Sequence, residues 1–138
     1  MTEGRTVLVV DEDLEYGRAL AKVLRSQGDE VRLVTNRSQA LRAARSKHYD
    51  VAIVDLLVEG GGTELARRLA RRVPRLMLSV GARLDTQALL ETALGFPVHE
   101  KSMLPSLLRA PRHSAEYLTS TPRRNGRPRV RVRTKATV

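Results

Sequence analysis

The sequence predicts an α/β protein in three layers, a parallel sheet covered by helices on both faces. Three observations predict it. Val7 to Val10 and Val51 to Val54 run apolar without alternation, as strands buried on both faces do. Between and after these runs lie segments with one apolar helical face, and strands alternating with helices build parallel sheets through right-handed crossovers. Both runs also end in carboxylates: Asp11 and Glu12 close the segment at 6 to 13, and Asp55 closes the segment at 50 to 55. Ligands of open α/β sheets bind beyond the carboxyl ends of the strands, so like charges gathered there mark a functional edge. A hard cation is their natural neutraliser.

The elements follow in order. After the first strand, Asp13 caps a helix with Tyr16, Leu20, Val23 and Leu24 on one face, and Gly28 provides a left-handed stop. Glu30 to Val34 alternates as an edge strand should. Asn36 caps a second helix with Ala40, Leu41 and Ala44 inward, and the Val51 to Val54 strand follows. A glycine loop at Gly60 to Gly62 leads into a helix bearing Leu65 and Leu69, and Pro74 separates that helix from the strand at Arg75 to Ser79. A fourth helix is expected over Asp85 to Ala93, and a fifth strand over Phe96 to Glu100 that tolerates Pro97 only at a sheet edge. Met103 to Ala110 is expected to form the last helix, which Pro111 stops or kinks.

The 138 residues suffice for one domain, and the charge shows where it ends. Residues 1–111 hold 17 Lys+Arg against 14 Asp+Glu, whereas 112–138 hold 8 against 1, so the net +10 belongs mainly to a basic tail. That tail has too few apolar residues for a core, and a second domain is not expected in it. With no cysteine, disulfides and thiolate metal sites are excluded. No signal peptide or membrane-length apolar stretch is present, so a cytoplasmic protein without a membrane partner is expected.

Four positions at strand ends then form an ordered set: the acidic pair Asp11 and Glu12 after strand one, Asp55 after strand three, Ser79 after strand four and Lys101 after strand five. The chain resembles, over about residues 5 to 110, the receiver domain of bacterial two-component response regulators. The resemblance implies a doubly wound, flavodoxin-like sheet of order 2-1-3-4-5. It also implies a phosphoacceptor role for Asp55, with Ser79 and Lys101 assisting. A divalent ion, Mg²⁺ or Mn²⁺, is expected on Asp11, Glu12, Asp55 and the Leu57 backbone carbonyl, where it screens negative charge between nucleophile and donor. Lys101 and Ser79 then meet the oxygens of the transferring phosphoryl group. The implied donor is a sensor histidine kinase or phosphotransfer protein, and the chain assists its own phosphorylation and dephosphorylation without a separate catalytic domain. A homodimer is left open.

Departures from the family pattern bear on the output switch. Glu59 and Ser102 stand where the family usually has proline. Val98 replaces the aromatic residue or histidine that turns inward on phosphorylation, Phe96 lies on the same strand face two residues early, and Val80 is larger than the small residue the family prefers after the hydroxyl. A second function class therefore stays open: a degenerate receiver scaffold that binds DNA or protein through its tail whatever the state of Asp55. Gly60 to Gly62 lacks the following Lys-Ser/Thr of a nucleotide loop. His48, His99 and His113 are not spaced as ligands or triad members and read as ordinary surface histidines.

In the tail, Gly126, Arg127 and Pro128 form a G-R-P centre resembling an AT-hook, with Asn125 where such a motif has arginine. Arg123, Arg124, Arg129, Arg131 and Arg133 flank it, suiting nucleic acid or an acidic protein. If the G-R-P centre enters the minor groove, fluorescence anisotropy will show preference for A·T-rich over G·C-rich duplex and displacement by a minor-groove competitor. Equal affinity for both duplexes would leave only polycation binding.

Overall fold

Apolar strands and one-sided helices alternate along the chain as their patterns dictate. The computed structural model describes residues 4–81 and 85–108. Its strands are β1 (Thr6–Val10), β2 (Glu30–Val34), β3 (Val51–Asp55), β4 (Arg75–Val80) and β5 (Val98–Glu100). Its α-helices are α1 (Leu14–Ser26), α2 (Arg37–Ser46), α3 (Gly62–Leu69), α4 (Gln87–Leu94) and α5 (Leu104–Leu108), the last preceded by a 3-10 turn at Lys101–Met103. The strands pair in parallel in the order β2-β1-β3-β4-β5. The basic tail, with Arg123 to Arg133 and the boundary at residue 111, lies outside the described residues.

Side-chain alternation along the strands divides the core in two. Leu8, Val10, Ala52, Val54, Leu76, Leu78 and Val80 point to one face, where α2 and α3 cover them with Ala40, Ala43, Ala44, Leu65, Ala66 and Leu69. Val7, Val9, Val51, Ile53 and Met77 point to the other, under Leu20, Ala21 and Leu24 of α1 and Leu104 and Leu108 of α5. Asp11, Asp55 and Ser79 continue the second parity, so the sheet delivers them to the side covered by α1 and α5.

Helix starts follow the capping chemistry. The Asp13 carboxylate accepts the Tyr16 N–H at 3.1 Å, and Asn36 Oδ1 accepts the Gln39 N–H at 2.8 Å. Gly28, just beyond α1, has φ of 99°.

Several boundaries differ from expectation. Gly62 belongs to α3 rather than to the loop, while Gly60 and Gly61 turn the chain with φ of 91° and 95°. In α2 the buried residues are Ala40, Ala43 and Ala44, and Leu41 is only partly buried. Helix α4 begins at Gln87, and its N-cap residue Thr86 makes no side-chain capping hydrogen bond. β5 begins at Val98: Pro97 has no N–H for the ladder and contributes only its carbonyl, which accepts the Leu78 N–H. Phe96 therefore lies before the strand and packs partly buried against the α2–α3 core. His99, on β5, is half-buried rather than an ordinary surface residue, and burial pulls its pKa below 6.5 against the nearby Glu91 charge.

β5 is an edge strand, and α4 covers its outward backbone groups. The Val98 N–H donates to Glu91 Oε2 at 2.8 Å, and Gln87 Nε2 donates to the Val98 carbonyl at 2.6 Å. Helix α4 has no fully buried residue, so this pair of side chains is its main polar tie to the sheet.

At the opposite end of the strands, Asp29 receives the Arg5 backbone N–H at 3.0 Å and the guanidinium through Nε at 3.2 Å and Nη2 at 2.7 Å. Burial pushes the Asp29 carboxyl up, but the Arg5 hydrogen bonds and charge outweigh it and hold the group below its ordinary 3.8. A depressed carboxylate stabilises the fold above its unfolded pKa, and that stabilisation is lost as pH falls through the folded value. Asp29→Asn is expected to cost about 1.5–3 kcal/mol at pH 7 in urea unfolding. The difference from the parent chain should shrink as pH drops below 3.8. A pH-independent difference would place the effect in packing instead.

Candidate functional site

The sheet and two helices bring the predicted edge residues together. Asp11 follows β1, Asp55 ends β3, Ser79 stands beside Asp55 in the β3–β4 register, and Lys101 follows β5. Asp11, Asp55 and Ser79 are buried, with exposures of 1%, 8% and 1%. The Lys101 Nζ sits between the carboxylates, 2.9 Å from Asp11 Oδ2 and 3.5 Å from Asp55 Oδ2. Two carboxylates thus share one ammonium.

Titration follows from this crowding. Burial pushes the Asp11 carboxyl above 3.8, and the Asp55 charge adds to the push against the Lys101 and Asp13 hydrogen bonds. Burial also works against the Lys101 charge, but the Asp11 hydrogen bond and the charges of Asp11 and Asp55 outweigh it, raising the ammonium above 10.5. Lys101 therefore remains a cation across neutral pH. Its contribution to folding is complete below pH 10.5 and is lost as pH rises through the folded value.

Glu12 and Leu57 occupy different positions. Glu12 is exposed and its Oε2 accepts the Glu59 N–H at 3.0 Å, tying the β3–α3 loop to the end of β1. The Leu57 N–H donates to Asp55 Oδ1 at 3.1 Å, while its side chain is 77% exposed. Among the described residues no three acidic or histidine side chains stand as a metal-binding group. The donors nevertheless suit a hard divalent ion by type, since all are oxygens and the Asp11–Asp55 pair carries one more negative charge than Lys101 neutralises.

Gly62 shows why the glycine run is there. A Cβ at this position would lie 2.3 Å from the Asp55 carbonyl oxygen and 2.6 Å from Leu56 Cα. The glycine lets α3 begin directly against the backbone that carries Asp55, a packing role rather than a phosphate cradle. Val80, the bulky residue after Ser79, is buried in the α2–α3 core.

Tyr16 is the site residue that sequence reasoning missed. Helical spacing sets it on the apolar face of α1, but its hydroxyl donates to the Lys101 carbonyl at 2.9 Å and its ring centroid lies 5.1 Å from Lys101 Nζ. Burial, and then the Asp11 charge, drives the phenol above its ordinary 10.0, so it stays a donor. A tyrosine where only an apolar side chain is needed was the available signal.

A parallel sheet of this order, with paired carboxylates, a hydroxyl and a lysine at its carboxyl edge, defines a doubly wound protein of the flavodoxin-like receiver class. The family described as the response regulator receiver domain matches residues 7–96. The chain belongs to the response regulator receiver domain family of two-component systems. It is 37% identical over 71 residues to a response regulator receiver protein of Anaeromyxobacter sp., covering 51% of this chain and 30% of the relative. It is 35% identical over 88 residues to the DNA-binding response regulator MtrA of Mycolicibacterium smegmatis, covering 62% and 38%. The chain thus spans about a third of the length of these relatives. A response regulator from Burkholderia pseudomallei, solved with a phosphorylated aspartic acid, calcium ion and citrate, superposes with a TM-score of 0.63 at 23% identity. That match covers 82% of this chain and 70% of the other. Among the described residues no helix is long and apolar enough to cross a membrane.

Tyr16→Phe keeps the ring beside Lys101 and removes only the hydroxyl donor. Urea unfolding is expected to show a loss of about 1 kcal/mol, and NMR should report altered Lys101 side-chain shifts. Unchanged stability and shifts would show that the phenol does not hold the Lys101 backbone.

Proposed function

We propose that the chain accepts a phosphoryl group on Asp55 from a phosphohistidine of a sensor kinase or phosphotransfer protein. One observation carries the proposal: Lys101 Nζ reaches both Asp11 and Asp55, and Ser79 is the register neighbour of Asp55. Family membership supports it, as does the phosphorylated aspartic acid of the Burkholderia protein.

In the proposed reaction an Asp55 carboxylate oxygen bonds to phosphorus as the P–N bond breaks. The bonding pair stays on the imidazole nitrogen, which takes a proton from solvent. Lys101 releases its Asp11 contact to meet one phosphoryl oxygen, and the Ser79 hydroxyl donates to another, so the added charge is met by donors already in place. Asp11, Glu12, Asp55 and the Leu57 carbonyl would hold a Mg²⁺ or Mn²⁺ ion, whose chemistry is to screen the negative charges of acceptor and donor. Tyr16 holds the Lys101 backbone while the side chain moves. The chain works as a phosphoacceptor assisting its own transfer and dephosphorylation, not as a separate catalyst.

Val98 favours a second reading. It is fully buried and carries no ring to turn, so a scaffold that binds DNA or protein through the basic tail, independently of Asp55, is the alternative. Phosphorylation decides between them. Asp55→Asn should abolish acid-labile labelling by a cognate phosphohistidine donor, whereas Asp13→Asn, which preserves a helix-capping side chain, should leave it largely intact. Lys101→Ala should retain some labelling while NMR shifts at Ser79 no longer follow it. Full labelling of Asp55→Asn would overturn the assignment.

A further inference from the structure

The outer faces of α2 and α3, on the side of the sheet opposite the one toward which Asp11, Asp55 and Ser79 point, carry a concentration of cations without salt bridges among the described residues. The two helices touch and cover the same face of the sheet. No acid occurs from Arg37 to Lys47, and α3 with its following turn holds only Glu64. Arg37 Nη2 donates to Glu64 Oε1 at 2.5 Å, and Lys47 pairs with Glu30. Arg42, Arg45, Arg67, Arg68, Arg71 and Arg72 are all exposed, and among the described residues none has a carboxylate within salt-bridge distance. At helical spacing, Arg42 and Arg45 lie opposite the buried Ala40, Ala43 and Ala44, and Arg67 lies opposite the buried Leu65 and Leu69.

Six like charges held on two adjoining helices repel one another, and a polyanion removes that cost. We infer that the α2–α3 face is a docking surface for the phosphate backbone of duplex nucleic acid, separate from the tail and from Asp55. The residue type points there, because arginine presents a planar fork of donors suited to phosphate oxygens. A protein partner fits less well: protein interfaces centre on aromatic and apolar anchors with charge at the rim. Among the described residues the exposed large apolar side chains, Leu14, Leu57, Leu89 and Met103, all lie outside α2 and α3. Single-stranded bases would need exposed aromatic platforms, and Tyr49, the aromatic residue after α2, is buried.

The test keeps the full chain and separates face from tail. In one background Arg123, Arg124, Arg127, Arg129, Arg131 and Arg133 are changed to Gln, and binding of a fluorescein-labelled mixed-sequence duplex is measured by anisotropy from 50 to 200 mM salt. Binding should persist in this background. Adding Arg42→Gln, Arg45→Gln, Arg67→Gln and Arg71→Gln should weaken it at least tenfold at low salt and flatten the log–log salt slope by about 3–4, at about 0.9 per phosphate contact. The same four positions changed to Lys should keep most of the slope, with circular dichroism checking that all variants fold. Loss of duplex binding on neutralising the tail alone, or an unchanged slope on neutralising the face, would overturn the inference. Competition by polyglutamate as effective as that by duplex at matched charge would overturn it in favour of an acidic protein partner.

Discussion

Burial of two carboxylates beside each other is the constraint on which the site depends. Asp11 and Asp55 are carried to one sheet edge by strands whose other residues are core, so neither can retreat into water without disturbing β1 or β3. The single ammonium of Lys101 answers this repulsion, arriving from the far edge of the sheet after β5. The remaining contacts hold that arrangement in place. The Asp13 and Leu57 N–H groups bond the carboxylates, Tyr16 fixes the Lys101 carbonyl, Glu12 ties down the following loop, and Gly62 lets α3 close against Asp55. An incomplete charge balance of this kind leaves the site favouring a cation or a reaction that changes the charge of a carboxylate.

What the sequence disclosed depended on whether the controlling interaction is local. Continuous apolar runs identify β1 and β3 because a strand covered on both faces has no position for a polar residue, and Asp13 and Asn36 mark helix starts because their side chains bond N–H groups three residues away. Strand order came through the family resemblance, since periodicity does not say which strand neighbours which. The weaker boundaries lie where local signals conflict or fail: α4 lacks a side-chain cap, Pro97 removes a ladder donor from the expected fifth strand, and a 3-10 turn precedes α5.

The site residues divide in the same way. Asp11, Asp55, Ser79 and Lys101 could be named because strand ends register them at one edge. Tyr16 could not, because its role depends on a hydrogen bond spanning 85 positions that helix periodicity does not contain. Glu12 resembled a simple companion of Asp11, yet strand alternation turns adjacent residues apart, leaving one buried and the other on the surface binding a loop. The same separation applies to charge on the molecule as a whole. Acids crowd one edge of the sheet while exposed arginines crowd the outer face of α2 and α3, so a modest net charge on the receiver portion conceals two strongly polarised surfaces.

The hold of Gln87 and Glu91 on Val98 decides how this molecule can meet another copy or a partner along β5. An exposed strand edge ordinarily invites a foreign strand to extend the sheet, the route by which many folded proteins aggregate. Here the outward N–H and carbonyl of Val98 are already bonded by the helix that flanks them. A visitor on that side must recognise the shape and charge of side chains, or first displace α4, before it can add to the sheet through that backbone.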